Sequence, residues 1–168
     1  DTLAPDAPLI KTTTSLTNDS TPQIIGEAEA GSTVTLFVDG TSTGVTTTAD
    51  ATTGAFTIDT PSQEDGTYAL TVTATDEAGN TSSASSALNI TIDTAAPDAP
   101  LITTSNTTTN DSTPEIVGEA EAGSTVTLFV NGSNTGVITT ADGTTGAFTI
   151  TAPEQVDGNY DFTVKATD

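Results

Sequence analysis

Apolar and polar residues alternate along several short stretches of the chain, with the period of a β-strand that buries one face. In the clearest stretch, Tyr68, Leu70, Val72 and Ala74 occupy every second position. Threonine fills many of the intervening positions, and this residue is common in strands but is a weak helix former. The pattern therefore predicts an all-β protein.

Turn residues divide the first half of the chain into seven predicted strands. The pair Asp39-Gly40 is a strong hairpin signal. The run Asp65-Gly66-Thr67-Tyr68 resembles the tyrosine corner of immunoglobulin-like domains. Phe37 and its counterpart Phe129 fall on the outer face. Short strands with a turn every 8 to 12 residues are typical of a β-sandwich. The predicted strands cover residues 3–14, 22–28, 33–38, 43–48, 55–58, 68–74 and 88–92.

The chain repeats itself at an offset of 92 residues. Asp93–Ile102 repeats the opening ten residues with one change, and Gly118–Val130 repeats Gly26–Val38 without any. Over the 76 aligned positions, 55 are identical. The repeat predicts two tandem immunoglobulin-like domains, residues 1–92 and 93–168.

The second copy has no counterpart of residues 77–92, so its seventh strand is missing, either because the chain is cut there or because that strand is disordered. If the strand is truly absent, we expect the strand that carries Tyr160, Phe162 and Val164 to lose a neighbour and to expose a sheet edge.

Composition excludes several classes of partner. The chain has 23 acidic and two basic residues, with a net charge of -21. This charge argues against nucleic acid and anionic membranes as partners, and it favours cations. Without Cys or His there are no disulfides, thiolate metal sites or histidine bases. No apolar run reaches the roughly 18 residues of a membrane helix, and no signal peptide opens the chain. We expect a fragment of a longer protein, or a protein exported without an N-terminal signal.

The predicted strand directions gather the acidic residues at the ends of each domain. Carboxylates that converge there either repel one another or share a cation. A shell of oxygen ligands suits calcium, which takes six to eight of them, better than magnesium. The alternative is that the acids are solvated turn residues, and we favour it for Asp39, Asp50 and Asp65. For Asp93, Glu121 and Asp168, which have counterparts at the same end of the first copy, we favour a cation site.

Three motifs relate the chain to a known family. They are Asp-Thr-x-Ala-Pro-x-Ala-Pro at 1–8 and 93–100, Gly-Glu-Ala-Glu-Ala-Gly-Ser-Thr-Val at 26–34, and Ala-Thr-Asp-Glu-Ala-Gly-Asn-Thr-Ser at 74–82. With them, the whole chain resembles the immunoglobulin-like repeats of giant bacterial adhesins exported by type I secretion, the biofilm-associated and RTX-adhesin family. The glycine-rich calcium-binding nonapeptides of such proteins are absent, and so is any EF-hand loop.

The resemblance implies a secreted or cell-surface stalk that projects a ligand-binding tip for adhesion or biofilm formation. Its partners are calcium at the junctions and the neighbouring repeats of the same chain, and we expect a monomer without membrane insertion. The calcium ligands that the resemblance implies are Asp1, Glu29, Asp76 and Asn80 in the first copy, and Asp93, Glu121 and Asp168 in the second.

An enzyme and a ligand-binding surface are the two other classes of function. We expect no enzyme, because the chain has no His, Cys or Gly-x-Ser-x-Gly, and its carboxylates lack a nearby aromatic platform. A glycan-binding or ice-binding surface made of threonine rows, such as Thr33-x-Thr35 and Thr71-x-Thr73, is the alternative to a stalk. The absence of Trp weakens the glycan interpretation, and threonine is also a common solvent-facing strand residue.

Overall fold

The chain divides into two compact units, Asp1–Ala95 (unit 1) and Ala96–Asp168 (unit 2). The computed structural model describes residues 2–105 and 108–168. The repeat period places the boundary at 92/93, three residues earlier. Residues 93–95 stay with unit 1 because the backbone N–H and the hydroxyl of Thr94 both donate to Asp65 Oδ1, at 2.9 and 2.8 Å.

Unit 1 forms eight short strands within residues 2–95. A three-stranded sheet has the order β1-β3-β6, and a five-stranded sheet has the order β2-β8-β7-β4-β5. The strands are β1 (Leu9–Ile10), β2 (Leu16–Thr17), β3 (Gln23–Glu27), β4 (Thr33–Val38), β5 (Thr41–Thr48), β6 (Ala55–Asp59), β7 (Gly66–Thr75) and β8 (Leu88–Ile92).

The two sheets of unit 1 share one core. Neighbouring strands are antiparallel, except that β2 and β8 run parallel. Ile24 and Ile58 from one sheet, and Leu36 and Val72 from the other, are buried in a single cluster. These are the inward positions of the period-two pattern, and the predicted all-β, immunoglobulin-like sandwich is confirmed.

Unit 2 repeats this arrangement with six strands in its described residues. Its sheets have the orders β9-β10-β13 and β12-β11-β14. The strands are β9 (Leu101–Ile102), β10 (Glu115–Glu119), β11 (Thr125–Val130), β12 (Ser133–Thr140), β13 (Ala147–Thr151) and β14 (Phe162–Thr167). No helix in the described parts of the chain is long and apolar enough to cross a membrane.

The predicted first strand, residues 3–14, is wrong in extent. The chain forms only β1, which pairs with β3, and then β2, which pairs with β8 in the opposite sheet. Pro5 and Pro8 cannot donate to a ladder, and the change of sheet interrupts the strand. Unit 1 therefore has eight strands instead of the seven predicted.

Two predicted turn motifs are confirmed in both units. Asp39 and Gly40 both have positive φ, 49° and 76°, as a type I′ hairpin requires, and Asn131 and Gly132 repeat these angles. The hydroxyl of Tyr68 donates to the Glu64 carbonyl at 3.0 Å, which is the hydrogen bond of a tyrosine corner. In unit 2, Tyr160 makes the same bond to Val156, also at 3.0 Å.

The strand β14 is shorter and less buried than its counterpart β7. Strand β7 has ten residues and β14 has six. Leu70 and Val72 are fully buried, whereas the equivalent Phe162 and Val164 are half-buried. In unit 1, β8 pairs with Gly66–Leu70 and Ser85 bonds to Val72, whereas in the described residues of unit 2 the strand β14 pairs with β11 alone.

A glycine in each unit lets the first sheet pack against an aromatic ring. A Cβ on Gly26 would overlap the Leu9 carbonyl oxygen and the Phe56 ring. A Cβ on Gly118 would overlap Leu101 and Phe148 in the same way.

An acidic residue fixes the turn before β6 and the equivalent turn before β13. Asp50 Oδ1 accepts hydrogen bonds from the Thr53 N–H (2.8 Å), the Thr52 N–H (3.0 Å) and the Thr53 hydroxyl (2.9 Å). These bonds, the Thr53 N–H foremost, lower the pKa of Asp50 below its ordinary 3.8. Asp142 has a lowered pKa for the same reason, with the Thr145 N–H as the largest cause.

We expect Gly26→Ala and Gly118→Ala each to lower the free energy of unfolding by about 1–3 kcal/mol, because the added methyl group overpacks a filled site. Urea unfolding followed by circular dichroism measures the change. Gly143→Ala is the matched control, since a Cβ there meets no atom within 4 Å. If Gly26→Ala is as stable as Gly143→Ala, the packing assignment is wrong.

The turn carboxylates predict an acid-dependent loss of stability. A lowered folded-state pKa stabilises the fold above the unfolded pKa, and that contribution is lost as pH falls through the folded pKa. The double variant Asp50→Asn/Asp142→Asn should therefore be less stable at neutral pH and should lose less stability between about pH 5 and pH 2. Melting curves across this range provide the test, with Glu154→Gln, an exposed acid outside these turns, as control. Parallel pH profiles for the variant and the parent would contradict the assignment.

Candidate functional site

In each unit, strand pairing places several acidic residues at the same end. We call this end the acid-rich end. In unit 1, Glu27 ends β3 opposite Ala55, and the following turn leads to Thr33. Thr33 lies opposite Thr75, the last residue of β7, so Asp76 also belongs to this end. The same pairings place Glu119, Glu121 and Asp168 at the acid-rich end of unit 2.

Each acid-rich end contains an open groove lined by three carboxylate residues. The groove of unit 1 has a volume of about 310 Å³, and that of unit 2 about 320 Å³. The acids are exposed, and an ion pair joins Lys11 to Glu27 in unit 1. The lining residues are Asp6, Ala7, Leu9, Glu27, Ala28 and Glu29 in unit 1, and Asp98, Ala99, Leu101, Glu119, Ala120 and Glu121 in unit 2.

The predicted calcium ligands of the first copy lie in different surroundings. Glu29 is exposed in the groove. Asp76 and Asn80 close a turn together, because Asp76 accepts bonds from the Asn80 N–H and side-chain amide, both at 2.8 Å. The side-chain bond from Asn80 is the largest cause of the lowered pKa of Asp76. Asp1 lies outside the described residues.

Of the remaining predicted ligands, Asp93 lies in unit 1, and Glu121 and Asp168 lie in unit 2. Glu121 is exposed in the unit 2 groove, and Asp168 is exposed after β14. Asp93 follows β8 at the end of unit 1 opposite its acid-rich end, and its N–H donates to Thr17 at 2.9 Å. Its carboxylate accepts the Ala95 N–H at 3.2 Å. Within unit 1, Asp93 is therefore not placed with Glu29 or Asp76.

The donor set suits calcium in chemistry but is incomplete in geometry. All candidate side chains offer oxygen, the ligand that calcium takes. Within residues 2–105 and 108–168, however, no three acidic side chains are grouped closely enough to hold a metal ion. A calcium ion would therefore need further oxygen from backbone carbonyls, water or carboxylates that move on binding. The ligand set stays a prediction.

The predicted ligand set omits four residues of the grooves, Asp6, Glu27, Asp98 and Glu119. The sequence signal that could have identified these four residues is their recurrence at the 92-residue offset. Glu27 and Glu119 are exposed at the ends of their strands, and the ligand set that the resemblance implies does not include them.

Threonine rows cross the outer face of the sheet that contains β4 in unit 1 and β11 in unit 2. In unit 1, two rows span β5, β4 and β7: Thr48-Thr33-Thr75 and Thr46-Thr35-Thr73. In unit 2 the first row is kept, but the second is Ile138-Thr127-Lys165. Phe37 lies half-buried on this face between Ser42 and Thr71, as Phe129 does between Asn134 and Thr163. The regular threonine array is therefore not shared by both units.

Solved structures resemble the whole chain at low sequence identity. The fibronectin(III)-like modules of Clostridium thermocellum CbhA share 15% identity with a TM-score of 0.55, covering 95% of this chain and 84% of theirs. The BSP domain of a biofilm associated protein shares 20% identity with a TM-score of 0.38, and 96% of this chain is covered. The D0-D1 domain of intimin shares 13% identity with a TM-score of 0.34, covering 96% of this chain and 90% of its own.

Of these, the CbhA modules support the fold of this chain, and at 15% identity they bear on the fold alone. The chain spans only 27% of the biofilm associated protein structure. No curated protein sequence matches the chain at a significant level.

A family model matches nearly the whole chain, once in each unit. It describes a bacterial Ig-like domain and covers residues 10–94 and 101–168. Both matches coincide with the sandwiches formed by β1–β8 and β9–β14. The chain therefore belongs to the bacterial Ig-like domain family.

Proposed function

We propose that the two units are non-catalytic stalk modules of a secreted or cell-surface bacterial adhesin. In this proposal the modules repeat in series, act as a monomeric chain whose partners are its own neighbouring repeats, and carry a distal region that binds the ligand for adhesion or biofilm formation.

The observation that carries the proposal is the near-identity of two bacterial Ig-like units in one chain. Of 76 aligned positions, 55 are the same, and the unbroken match from Gly26 to Val38 contains a core strand and its preceding turn. A module that serves as a spacer needs the same core and the same turns each time.

The surface of the units supports a spacer better than a binding module. The grooves at the acid-rich ends are open, and their side chains are acidic or small and aliphatic. Glycan sites are usually built on aromatic anchors, and the chain has no Trp. The threonine array that an ice-binding surface requires is interrupted in unit 2 by Ile138 and Lys165.

Calcium is the second part of the proposal. The acid-rich ends carry Glu29 and Asp76 in unit 1, and Glu121 and Asp168 in unit 2, while Asp93 lies in the short segment that connects the repeats. The net charge of -21 concentrates cations near the surface. Extracellular modules commonly bind calcium at about 10⁻⁴ to 10⁻³ M, so a bound ion would stiffen the chain outside the cell.

Calcium should raise the melting temperature of the chain, and small-angle scattering should show a more rigid chain. Binding to the folded state alone contributes RT ln(1 + [L]/Kd), about 2.7 kcal/mol at a hundredfold excess of calcium over Kd. Glu121→Gln and Asp168→Asn should each reduce the effect. Asp157→Asn, which removes the same charge beyond β13 at the opposite end of unit 2, should not.

The measurements are calorimetry and small-angle scattering of the chain in calcium and in chelator. Identical melting temperatures and maximum dimensions in the two conditions would exclude the calcium site. They would not contradict the stalk proposal, which ligand-binding measurements test separately.

The stalk proposal predicts that the chain itself binds no host ligand. A glycan array and a panel of matrix proteins should give no saturable signal, and the chain should show no thermal hysteresis. One saturable glycan hit, or hysteresis that Thr35→Lys removes, would replace the stalk with the corresponding binding function.

A further inference from the structure

The chain enters and leaves unit 1 at opposite ends of the sandwich. Leu9, which begins β1, pairs with Glu27 at the acid-rich end. Ile92, which ends β8, lies opposite Gly66 at the start of β7, and β7 runs from there to Thr75 at the acid-rich end. Tension applied to the chain on the two sides of unit 1 therefore acts along the strands and not across them.

The entering and leaving segments of unit 1 meet directly in β2 and β8. In the part of the chain that the structure describes, this is the one parallel pairing of strands. The Thr91 N–H donates to the Ser15 carbonyl at 2.8 Å. Two residues further on, the Asp93 N–H donates to the Thr17 carbonyl at 2.9 Å. Backbone hydrogen bonds therefore join the segment that enters unit 1 to the segment that leaves it.

The parallel direction of β2 and β8 decides how these bonds respond to tension. Tension pulls β2 toward the acid-rich end and β8 toward the opposite end, so the two strands are sheared past each other and their bonds stretch together. An antiparallel hairpin that is pulled apart at its open end breaks its bonds one after another. Since a single hydrogen bond contributes little, bonds that stretch together resist a larger force.

The entering segment has a second attachment ahead of β2. The Lys11 N–H donates to the Ile25 carbonyl, and the Ile25 N–H donates to the Thr12 hydroxyl, both at 2.8 Å. The Lys11 side chain also forms an ion pair with Glu27. Tension that enters through β1 is therefore shared with β3 before it reaches β2.

The leaving segment has a second attachment beyond β8. The Thr94 N–H and hydroxyl both donate to Asp65 Oδ1, and Asp65 directly precedes Gly66 at the start of β7. Ile92, between this attachment and the rest of β8, is only 1% exposed. The end of β8 is therefore held by a buried side chain and by bonds to two other segments.

We propose that β2 and β8, together with the Thr94–Asp65 contact, form a mechanical clamp that resists tension along unit 1. The clamp is the set of hydrogen bonds that must stretch together before the two ends of the unit separate. This inference rests on the proposed stalk function, because a stalk comes under tension when its tip is held. It extends that function by assigning the resistance to particular bonds.

The test pulls the whole chain with optical tweezers, in chelator so that bound calcium adds no resistance. The chain contains no Cys, so a pair of introduced cysteines defines where the force acts. Thr2→Cys/Ala96→Cys pulls unit 1 along its strands. Thr33→Cys/Thr48→Cys, on facing exposed residues at the open end of the β4–β5 hairpin, pulls that hairpin apart. The lengthwise force should be at least about twofold higher, because several bonds share the load.

Two variants remove single parts of the clamp. Asp93→Pro removes the N–H that donates to Thr17, at a position just after β8 that follows an extended residue. Asp65→Ala removes the acceptor of Thr94. At a fixed lengthwise force, each variant should unfold about fivefold faster, as the loss of one hydrogen bond predicts. Asp93→Ala is the matched control for Asp93→Pro, because it also removes the carboxylate but keeps the N–H.

The pulling direction separates the clamp from a general loss of stability. Both variants should unfold faster in the lengthwise pull and at the parent rate in the hairpin pull. Equal forces in the two directions for the parent chain would overturn the proposal. So would variants that unfold at the parent rate in the lengthwise pull, or that accelerate equally in both directions.

The force measurement and the stalk proposal fail separately. Equal forces in the two directions would remove the clamp but leave a stalk that binds no ligand. A saturable glycan hit would remove the stalk function but leave the measured forces unchanged.

Discussion

The structure depends on the covering of one central strand on both edges. Strand β7 carries the fully buried Leu70, Val72 and Ala74, with β4 along one edge and, along the other, β8 beside Leu70 and the segment of Ser82 and Ser85 beside Val72 and Ala74. Domains of fewer than about 100 residues have little core to lose. Unit 2 provides the comparison within the same chain: with β11 alone beside β14, the strand is shorter, Val164 becomes half-buried, and the residues equivalent to β2 form no strand. One added strand therefore stabilises its neighbour on each side.

At a few further positions, the local geometry requires a particular residue type. Gly26 is required because the Leu9 carbonyl and the Phe56 ring occupy the space of a Cβ. Asp39 takes φ 49° and also accepts the Ala69 N–H at 2.8 Å, so the hairpin turn is fastened to β7. Asn131 does the same with Asp161 at 2.9 Å, and the substitution keeps the acceptor while removing a charge. The hydrogen bond of the turn is therefore the same in both units, whereas the charge at this surface position differs.

Sequence reasoning was accurate where one physical rule dominates. Burial with period two placed Val34, Leu36 and Ile90 correctly, and the tyrosine corner followed from four residues. It failed on the first strand, because the switch of the chain between sheets is set by tertiary pairing with β3 and β8. It placed Phe37 on the outer face but did not predict its half-burial, which depends on the neighbours Ser42 and Thr71 across the sheet. For the acids, sequence indicated the end of the unit but not the partner: Asp76 is bonded to Asn80, and Asp93 to Ala95.

The acidic residues form two groups: some accept hydrogen bonds within turns, and others are exposed in the grooves. Asp50, Asp142 and Asp76 have lowered pKa values because backbone and side-chain donors hold them in turns, and those donors compete with any cation. The groove acids are exposed at strand ends, but in unit 1 Glu27 is paired with Lys11. The counterpart of Lys11 is Thr103, so Glu119 lacks this ion pair and the groove of unit 2 has one positive charge fewer. Since a nearby cation lowers the affinity for a second one, the calcium that we propose should prefer the acid-rich end of unit 2.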